Sequence, residues 1–301
     1  MKILICDAVD KQAVKKLQDA GFEVVEKPGM DQDELAKTVP GFDAMVVRSA
    51  TKVRKQAIDA MTTMKVIARG GVGLDNIDHE YAKQKGIKVI NTPAASSASV
   101  AELVIGHMFG LARFIPAATH LMKNGEWPKK AMKGVELGGK TLGIIGIGRI
   151  GQEVAKRANA LGMTCVAFDE YIPNSPLPNI VKMVSKDELL AQSDFITLHI
   201  PFDPKFGPTL GAAEFAKMKN GAFLVNAARG GTVDEKALLD ALNSGKVSRA
   251  ALDVFEKEPL EFDELRNHPN VYMTPHIGAS TVEGQFRVGL EVADKLIAEL
   301  K

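Results

Sequence analysis

Three short segments in the second half of the sequence place a polar side chain soon after an apolar, strand-like run. The polar residues are Arg229, Glu258 and His276. A histidine that titrates near neutral pH can take or give a proton, and a carboxylate on its other ring nitrogen can fix its tautomer. An arginine can bind a substrate carboxylate through two parallel hydrogen bonds. The three residue types together suit hydride transfer at a secondary alcohol or at the corresponding ketone.

Each of these residues also has an ordinary structural explanation when it is taken alone. An arginine after a strand is more often a solvated charge, and a histidine beside a proline can have a purely structural role. All three follow successive predicted strands, however, and open α/β sheets bind their ligands at the carboxyl ends of the strands. The set therefore predicts an active site.

A glycine-rich segment lies upstream of this set, between an apolar run and a helical pattern. Gly146, Gly148 and Gly151 form the motif G-x-G-x-x-G. The first glycine permits a tight turn, the second lets a pyrophosphate approach the backbone, and the third lets the helix pack closely on the strand. Asp169 follows about 20 residues later, where a carboxylate can accept hydrogen bonds from both ribose hydroxyls and repel a 2′-phosphate. This combination predicts binding of NAD rather than NADP.

The composition narrows the kinds of partner and the number of domains. A chain of 301 residues, 46% of them apolar, exceeds the usual size of one core and predicts two domains. The net charge of +1 argues against a nucleic-acid or anionic-membrane partner. The stretch 100–119 carries Glu102, His107 and Arg113, so a membrane span is not expected. Two distant cysteines, Cys6 and Cys165, in strand-like runs predict reduced thiols and a cytoplasmic protein.

Short β-branched runs alternate with helical patterns, which is typical of βαβ units and predicts an α/β fold with parallel sheets. Helical patterns in the first part include 11–19 and 54–61. The predicted strands of the first part are 2–6, 22–25, 44–47, 65–68 and 88–90.

The second part begins with a long helical pattern at 97–123, interpreted as one buried connector. Six strands are predicted to follow, with a helix at 149–161 after the first of them. A last helix at 283–300 is expected to pack back on the first domain. The predicted strands are 141–145, 164–168, 195–200, 222–226, 250–254 and 271–274.

At these residues the sequence resembles the D-isomer-specific 2-hydroxyacid dehydrogenase family, and the resemblance runs from the first strand to the last helix. It implies a flavodoxin-like substrate-binding domain, 1–96 plus 282–301, and a Rossmann NAD-binding domain, 97–281. Its most specific segments, besides the glycine motif, are 47–53, 68–78, 226–235, 251–259 and 275–281.

The resemblance also implies a role for particular residues. Arg229, Glu258 and His276 match the arginine that orients the substrate, the acid that tunes the histidine, and the acid-base histidine. Asp253 matches the partner of the nicotinamide carboxamide. The remaining positions expected to contact the cofactor are Arg149, Ile150, Pro201, Ala227 and Gly278.

The expected substrate is a small phosphorylated 2-hydroxy or 2-keto acid. The resemblance places the amides of Val72 and Gly73 on the substrate carboxylate, and glycines around them make an anion-binding turn reasonable. Arg48 and Arg69 match positions that meet a phosphate, and both follow predicted strand ends. The reaction implied is oxidation of D-3-phosphoglycerate to 3-phosphohydroxypyruvate, a step of serine biosynthesis.

The family resemblance further implies a homodimer through the nucleotide-binding domains, or a homotetramer. In that assembly the segment 127–130 reaches a neighbouring active site, and Lys129 stands where some relatives carry arginine. Segment 203–208 departs from the family pattern. The chain ends at Lys301, so feedback by serine through added regulatory domains is not expected.

Two alternatives stay open at this point. The first is another reaction of the same family, such as reduction of glyoxylate or hydroxypyruvate or a D-lactate-type reaction, because these enzymes share the catalytic set. The second is an NAD-sensing binding protein on the same fold, like the corepressors that bind NAD and partner proteins. Turnover of NADH with a 2-keto acid distinguishes the second alternative from the first.

Overall fold

The computed structural model describes all residues, 1–301, and has the α/β class that the sequence predicts. The chain forms two compact units. The smaller comprises Met1–Ser97 and Ala279–Lys301, and the larger comprises Ala98–Gly278.

The smaller unit is built on a five-stranded parallel sheet. The strands lie in the order β2-β1-β3-β4-β5, the flavodoxin-like order in which ligands bind where the order reverses, between β1 and β3. Its strands are β1 (Lys2–Ile5), β2 (Glu23–Glu26), β3 (Ala44–Val47), β4 (Val66–Arg69) and β5 (Lys88–Asn91). Its helices are α1 (Lys11–Asp19), α2 (Gln32–Thr38), α3 (Lys55–Asp59), α4 (His79–Gln84) and, from the end of the chain, α12 (Val282–Leu300).

Helix α12 completes the core of this smaller unit. Gly289 lies so close to α1 that a Cβ there would be 3.1 Å from the Cβ of Ala13. Val292, Ala293 and Leu296 are buried in the same cluster as the apolar residues of β1 and β3. The last helix is therefore part of the fold of the first 97 residues.

The larger unit has a seven-stranded parallel sheet, in the order β12-β11-β10-β9-β6-β7-β8. Numbered within the unit, this is the order 3-2-1-4-5-6 of a dinucleotide-binding sheet with one more strand at the far edge. The strands are β6 (Thr141–Ile145), β7 (Thr164–Phe168), β8 (Val181–Met183), β9 (Phe195–Leu198), β10 (Ala222–Asn226), β11 (Val247–Leu252) and β12 (Val271–Met273). The helices are α5 (Ser97–Arg113), α6 (Ile115–Lys123), α7 (Arg149–Ala160), α8 (Lys186–Gln192), α9 (Ala212–Lys217), α10 (Glu235–Asn243) and α11 (Asp263–Arg266).

The prediction of six strands in this part was wrong by one, because it omitted β8. This strand has only three residues, its central Lys182 is exposed, and no helix separates it from β7. It pairs with β7 on one side only and is therefore an edge strand. A short edge strand with a lysine gives no run of apolar residues that a periodicity argument can detect.

The prediction of one continuous buried helix at 97–123 was also wrong. The helix breaks at Phe114, which has a left-handed backbone (φ 59°), and α5 and α6 differ in direction by 64°. Pro116 has no amide to donate to Ala112, whose carbonyl instead accepts from the amide of Val135 at 3.0 Å. Helix α6 has no buried residue. No single helix of the chain is long and apolar enough to cross a membrane, and only the bent pair of α5 and α6, taken together, has that length and composition.

The strands of both sheets are covered by apolar residues on both faces, which is typical of parallel sheets. Cys6 and Cys165 are buried in these cores as free thiols. Burial, with a smaller contribution from Asp7, raises the pKa of Cys6 to about 12, and burial raises that of Cys165 to about 11. Neither thiol is reactive at neutral pH.

Candidate active site

The larger unit brings Arg229, Glu258 and His276 together at the carboxyl ends of β10, β11 and β12. His276 Nδ1 lies 2.8 Å from Glu258 Oε2. Glu258 Oε1 accepts from the amide of Phe255 at 3.2 Å, so both carboxylate oxygens are held. The charge of Arg229 acts on both other side chains. The arrangement leaves Nε2 of His276 as the ring nitrogen that can exchange a proton with a substrate.

The two glycines after Arg229 allow its loop to pack against the loop of Glu258. A Cβ on Gly230 would lie 1.7 Å from the carbonyl oxygen of Phe255, and Gly231 has a positive φ of 80°. Asn226, the last residue of β10, accepts from the amide of Ala228 at 3.1 Å and donates to the carbonyl oxygen of Arg229 at 3.3 Å. The loop that carries Arg229 is thereby fixed at both ends.

The side chains of His276 and Glu258 are 45% and 38% exposed, so both are accessible to a ligand. The hydrogen bond to Glu258 raises the pKa of His276, against the effects of burial and of Arg229. Burial raises the pKa of Glu258, but the hydrogen bond and charge of His276, the amide of Phe255 and the charge of Arg229 together lower that pKa overall. The pair therefore favours the ionised acid and the protonated histidine, the form that donates a proton to a ketone.

The glycine motif has the geometry that a pyrophosphate site needs. Gly146 has φ of 95°, and a Cβ there would lie 2.6 Å from the carbonyl oxygen of His199, at the point where the sheet order reverses. A Cβ on Gly148 would meet no protein atom within 4 Å, so the space beside it is open. A Cβ on Gly151 would lie 2.1 Å from the oxygen of Gly146, which shows how closely α7 packs. Helix α7 starts without a side-chain cap, leaving its first amides for an anion.

Asp169 lies directly after β7 and anchors the glycine loop. Its Oδ2 accepts from the amide of Ile147 at 2.9 Å, and its Oδ1 accepts from the amides of Tyr171 and Ile172 at 2.9 and 3.1 Å. A carboxylate has about four acceptor positions, so it can still accept from a ribose hydroxyl. These residues fit NAD.

Other positions expected to contact the cofactor lie at the same end of the sheet. Arg149 is exposed at the first position of α7 and Ile150 is half-buried beside it. Pro201 is exposed after β9, and Ala227 is buried after β10. Their contacts with the cofactor stay predictions.

Asp253 and Gly278 contact each other. Asp253 is only 1% exposed, and its Oδ2 accepts from the amide of Gly278 at 2.8 Å. Its Oδ1 accepts from the hydroxyl of Thr274 and the amide of Ile277. The structure thus gives Asp253 a place in the support of the His276 segment, and its predicted contact with the nicotinamide carboxamide stays a prediction.

In the smaller unit, Arg48 begins the loop after β3, at the point where that sheet's order reverses. Its amide donates to Asp7 Oδ2 at 2.5 Å, and Asp7 also accepts from the amide and hydroxyl of Thr51. Asn76 donates to the carbonyl oxygens of Arg48 and Thr51 at 2.8 and 2.7 Å. The loop is held from both sides, and the guanidinium of Arg48 bonds the carbonyl oxygen of Ala8 at 3.2 Å.

Arg69 is the last residue of the adjacent strand β4, and its side chain folds over the glycine loop that follows. A Cβ on Gly71 would lie 1.5 Å from Arg69 Nη1, and Gly71 has a positive φ of 144° that residues with a side chain rarely adopt. The same loop is held by Thr92, which accepts from the amide of Gly71 at 2.8 Å. The amides of Val72 and Gly73 make no hydrogen bond within the chain, which suits the predicted anion-binding turn.

Two predicted features have few contacts in the structure. Lys129 is exposed in the loop after α6, next to the exposed Trp127, and its contact with a substrate stays a prediction. In segment 203–208, Asp203 caps a turn by accepting from the amide of Lys205, and Phe206 is exposed.

Several supporting residues were not among the predicted site residues. Asp7 and Asn226 stand at the carboxyl ends of strands, which is the signal that could have identified them. Thr274 follows β12 directly and carries the same signal. Asn76 and His107 carry no such signal, because their partners lie far away in the sequence.

The fold and the geometry of the site together indicate a class, the NAD-linked oxidoreductases. Residues 105–278, which lie within the larger unit, match the family model described as the NAD-binding domain of D-isomer-specific 2-hydroxyacid dehydrogenases. The chain belongs to the D-isomer-specific 2-hydroxyacid dehydrogenase family, and it is an NAD-dependent enzyme, as the sequence predicts.

Individual relatives cover the chain almost completely. It is 50% identical to a hydroxypyruvate reductase of Thermotoga maritima, over 99% of this chain and 98% of that protein. It is 49% identical to a D-3-phosphoglycerate dehydrogenase of Methanocaldococcus jannaschii, over 98% of this chain but 57% of that protein. The chain thus spans a little over half the length of the D-3-phosphoglycerate dehydrogenases it matches. Among solved structures, the glyoxylate reductase from Paecilomyes thermophila superposes with a TM-score of 0.90 at 34% identity, over 98% of this chain and 94% of that one.

Proposed function

We propose that this enzyme interconverts D-3-phosphoglycerate and 3-phosphohydroxypyruvate, a reaction that would serve serine biosynthesis. In this proposal the smaller unit binds substrate and the larger unit binds the cofactor. The observation that carries the choice of substrate is the pair Arg48 and Arg69, at the carboxyl ends of the neighbouring strands β3 and β4. Two guanidinium groups suit a phosphomonoester better than the uncharged end of a smaller acid.

The proposed reaction assigns one task to each residue of the catalytic set. The glycine loop 146–151 and Asp169 would hold NAD, which would supply the acceptor for the hydride on C2 of the alcohol. His276 Nε2 takes the hydroxyl proton, while Nδ1 stays bonded to Glu258 at 2.8 Å. Glu258 stabilises the imidazolium that forms, and Arg229 orients the substrate carboxylate and polarises the reacting oxygen. In the reverse direction the protonated histidine returns the proton to the ketone oxygen.

The role of Arg48 is tested with Arg48→Ala in a steady-state assay that follows NADH absorbance. The substrates compared are 3-phosphohydroxypyruvate, hydroxypyruvate, glyoxylate and pyruvate. Loss of a charged hydrogen bond to phosphate is expected to reduce kcat/KM about tenfold to one hundredfold for the phosphorylated substrate alone.

The control for that experiment is Arg54→Ala. Arg54 lies in the same unit and forms an ion pair with Asp78 at 2.9 Å, outside the predicted site. The Arg54→Ala variant is expected to keep the substrate preference of the wild-type enzyme. Equal losses with all four acids in Arg48→Ala would contradict a phosphate contact.

Reduction of hydroxypyruvate is the second candidate function. It is favoured by the 50% identity to the Thermotoga maritima reductase over the full length of both proteins. The two candidates share the catalytic set and differ in whether Arg48 and Arg69 meet a phosphate. If wild-type enzyme reduces hydroxypyruvate as well as its phosphorylated form, the second candidate replaces the first.

We further propose that the enzyme is a homodimer formed through the larger unit. Large apolar side chains on α5, α6 and the loop after them are exposed, namely Phe109, Ile115, Met122 and Trp127. Exposed apolar side chains that cluster on neighbouring elements are typical of an interface between chains.

A further inference from the structure

The segment that carries His276 has an unusual backbone and is held by one buried carboxylate. His276 has a positive φ of 54°, a conformation that is uncommon for any residue other than glycine. On either side of it, Thr274 Oγ1 and the amide of Ile277 donate to Asp253 Oδ1 at 2.6 and 2.8 Å. The surrounding hydrogen bonds must maintain this conformation, since the histidine itself does not favour it.

A second histidine extends this network away from the proposed catalytic site. His107 Nε2, on α5, lies 3.1 Å from Thr274 Oγ1, and His107 is buried. Thr274 has one hydroxyl proton, which it donates to the carboxylate of Asp253, so it accepts from His107. His107 must therefore carry its proton on Nε2. The hydrogen bonds from His107 to Thr274 and from Thr274 to Asp253 therefore run in one direction. Asp253 in turn accepts from the amides of Ile277 and Gly278, on the far side of His276.

We propose that His107 and Thr274 are positioning residues for the acid-base histidine. They hold the carboxylate of Asp253, and Asp253 holds the turn in which His276 presents Nδ1 to Glu258. This inference rests on the proposed role of His276, but it concerns the geometry of the protein itself. Neither His107 nor Thr274 touches the reacting atoms in this scheme.

The groups that act on the charge of His276 are Glu258, Asp253 and Arg229. The bond to Glu258 has the largest effect and raises the pKa of His276. If the turn relaxes and the bond from Nδ1 to Oε2 is weakened, the pKa of His276 falls toward its ordinary value. Burial lowers the pKa of His107, and the smaller opposing effect of Asp253 does not reverse this, so its neutral form persists at neutral pH.

The test uses Thr274→Val, which keeps the shape of the side chain and removes its hydroxyl. The titration of His276 is followed by NMR of the ring Cε1–H in the full chain without cofactor, with the resonance assigned by its absence in His276→Gln. The expected result is a lower pKa of His276 in Thr274→Val and a wild-type value in Thr274→Ser. In the NADH assay, kcat/KM for 3-phosphohydroxypyruvate is expected to fall about tenfold in Thr274→Val.

The matched control is Thr197→Val. Thr197 is also buried in the larger unit and lies 3.1 Å from a histidine ring nitrogen, that of His199, but has no bond to Asp253. Removal of the Thr197 hydroxyl is expected to leave the titration of His276 unchanged. If Thr274→Val does not fold, His107→Met and His107→Gln replace it, since the glutamine amide can still donate to Thr274.

A titration of His276 in Thr274→Val that matches wild type would overturn the inference. An equal shift in Thr197→Val would also overturn it, because the effect would then be a general response to a lost buried hydroxyl. Absence of turnover with every 2-keto acid would refute the proposed function, while the titration would still decide the role of Thr274.

Discussion

Glu258 and Arg229 act in opposite directions on the proton affinity of His276. The carboxylate raises the pKa of the histidine through a bond of 2.8 Å, and the guanidinium lowers it by charge repulsion. The carboxylate has the larger effect, so the free enzyme holds a proton on His276 at a higher pH than an ordinary histidine does. Reduction of a ketone needs that proton, and oxidation of an alcohol needs it to be absent.

The pair also links protonation to stability. The raised pKa of His276 contributes stability that is fully present below the ordinary value of 6.5 and is lost as pH rises through the raised pKa. The lowered pKa of Glu258 contributes stability above its ordinary value of 4.5, lost as pH falls through the lowered pKa. Because both side chains are more than a third exposed, solvent screening keeps the contribution small.

Glu258→Gln is expected to change the pH dependence of catalysis in a defined direction. In wild type, kcat/KM for reduction should fall as the pH rises through the raised pKa of His276, which lies above 6.5. Without the carboxylate this fall should occur at lower pH, and the rise of kcat/KM for oxidation should move to lower pH with it.

Initial rates measured from pH 5 to pH 10 in both directions provide the check. The control is Glu261→Gln, since Glu261 lies in the same loop and pairs with Lys257 instead. An unchanged profile in Glu258→Gln would contradict the coupling of the two side chains.

Individual site residues differ in how far the sequence reveals them. Arg229, Glu258 and His276 could be predicted as a set because each follows a strand-like run and is a residue type that catalyses. The backbone of His276 and its support by Asp253 could not, because φ of 54° depends on hydrogen bonds to residues distant in sequence. Gly230 is a similar case, since its need for glycine arises from the oxygen of Phe255, 25 positions further along the chain.

At the scale of elements, strands with a strong apolar pattern were predicted with accurate bounds, whereas elements with a weak pattern were missed. The strands β6, β7 and β10 have the bounds that were predicted, because each contains at least three consecutive buried residues. The edge strand β8 was missed. The break between α5 and α6 was missed too, although Pro116 in the sequence signalled it, because apolar residues continue on both sides of the break.

The break between α5 and α6 has an identifiable support. The guanidinium of Arg249, on β11, donates to the carbonyl oxygen of Leu111 at 2.6 Å and stacks over the ring of Phe114 at 3.7 Å. It thereby satisfies a carbonyl at the end of α5 that has no partner within the helix. These contacts of Arg249 fix the direction of α6 and therefore the position of its exposed apolar side chains. Arg249 lies far from α6 in the sequence, so the local sequence does not reveal them.

At the scale of the whole molecule, the sheet orders follow from the alternation of strands and helices, whereas oligomeric state does not. Both parallel sheets and the family were predictable, because the resemblance runs through motifs in both halves of the chain. The proposed assembly depends on side chains such as Ile115, which lie on the surface of the larger unit.

Ile115→Glu is expected to convert the proposed homodimer to a monomer, because a carboxylate buried in an apolar interface has no partner. Sedimentation velocity of the purified protein checks this. The control is Val282→Glu, at an apolar residue of the smaller unit that is 84% exposed. A wild-type monomer, or a dimer that survives Ile115→Glu, would contradict the proposed interface.

The central claim is that this site performs hydride transfer with His276 as its acid and base. The most direct measurement is NADH oxidation with 3-phosphohydroxypyruvate by wild type and by His276→Gln, alongside NADH binding by fluorescence. His79→Gln is the control, because His79 has a similar exposed fraction, 47%, and a carboxylate neighbour, Glu80. The expected result is that His276→Gln loses about one hundredfold to ten thousandfold in kcat with unchanged NADH affinity. Turnover by His276→Gln within a few-fold of wild type would contradict the claim.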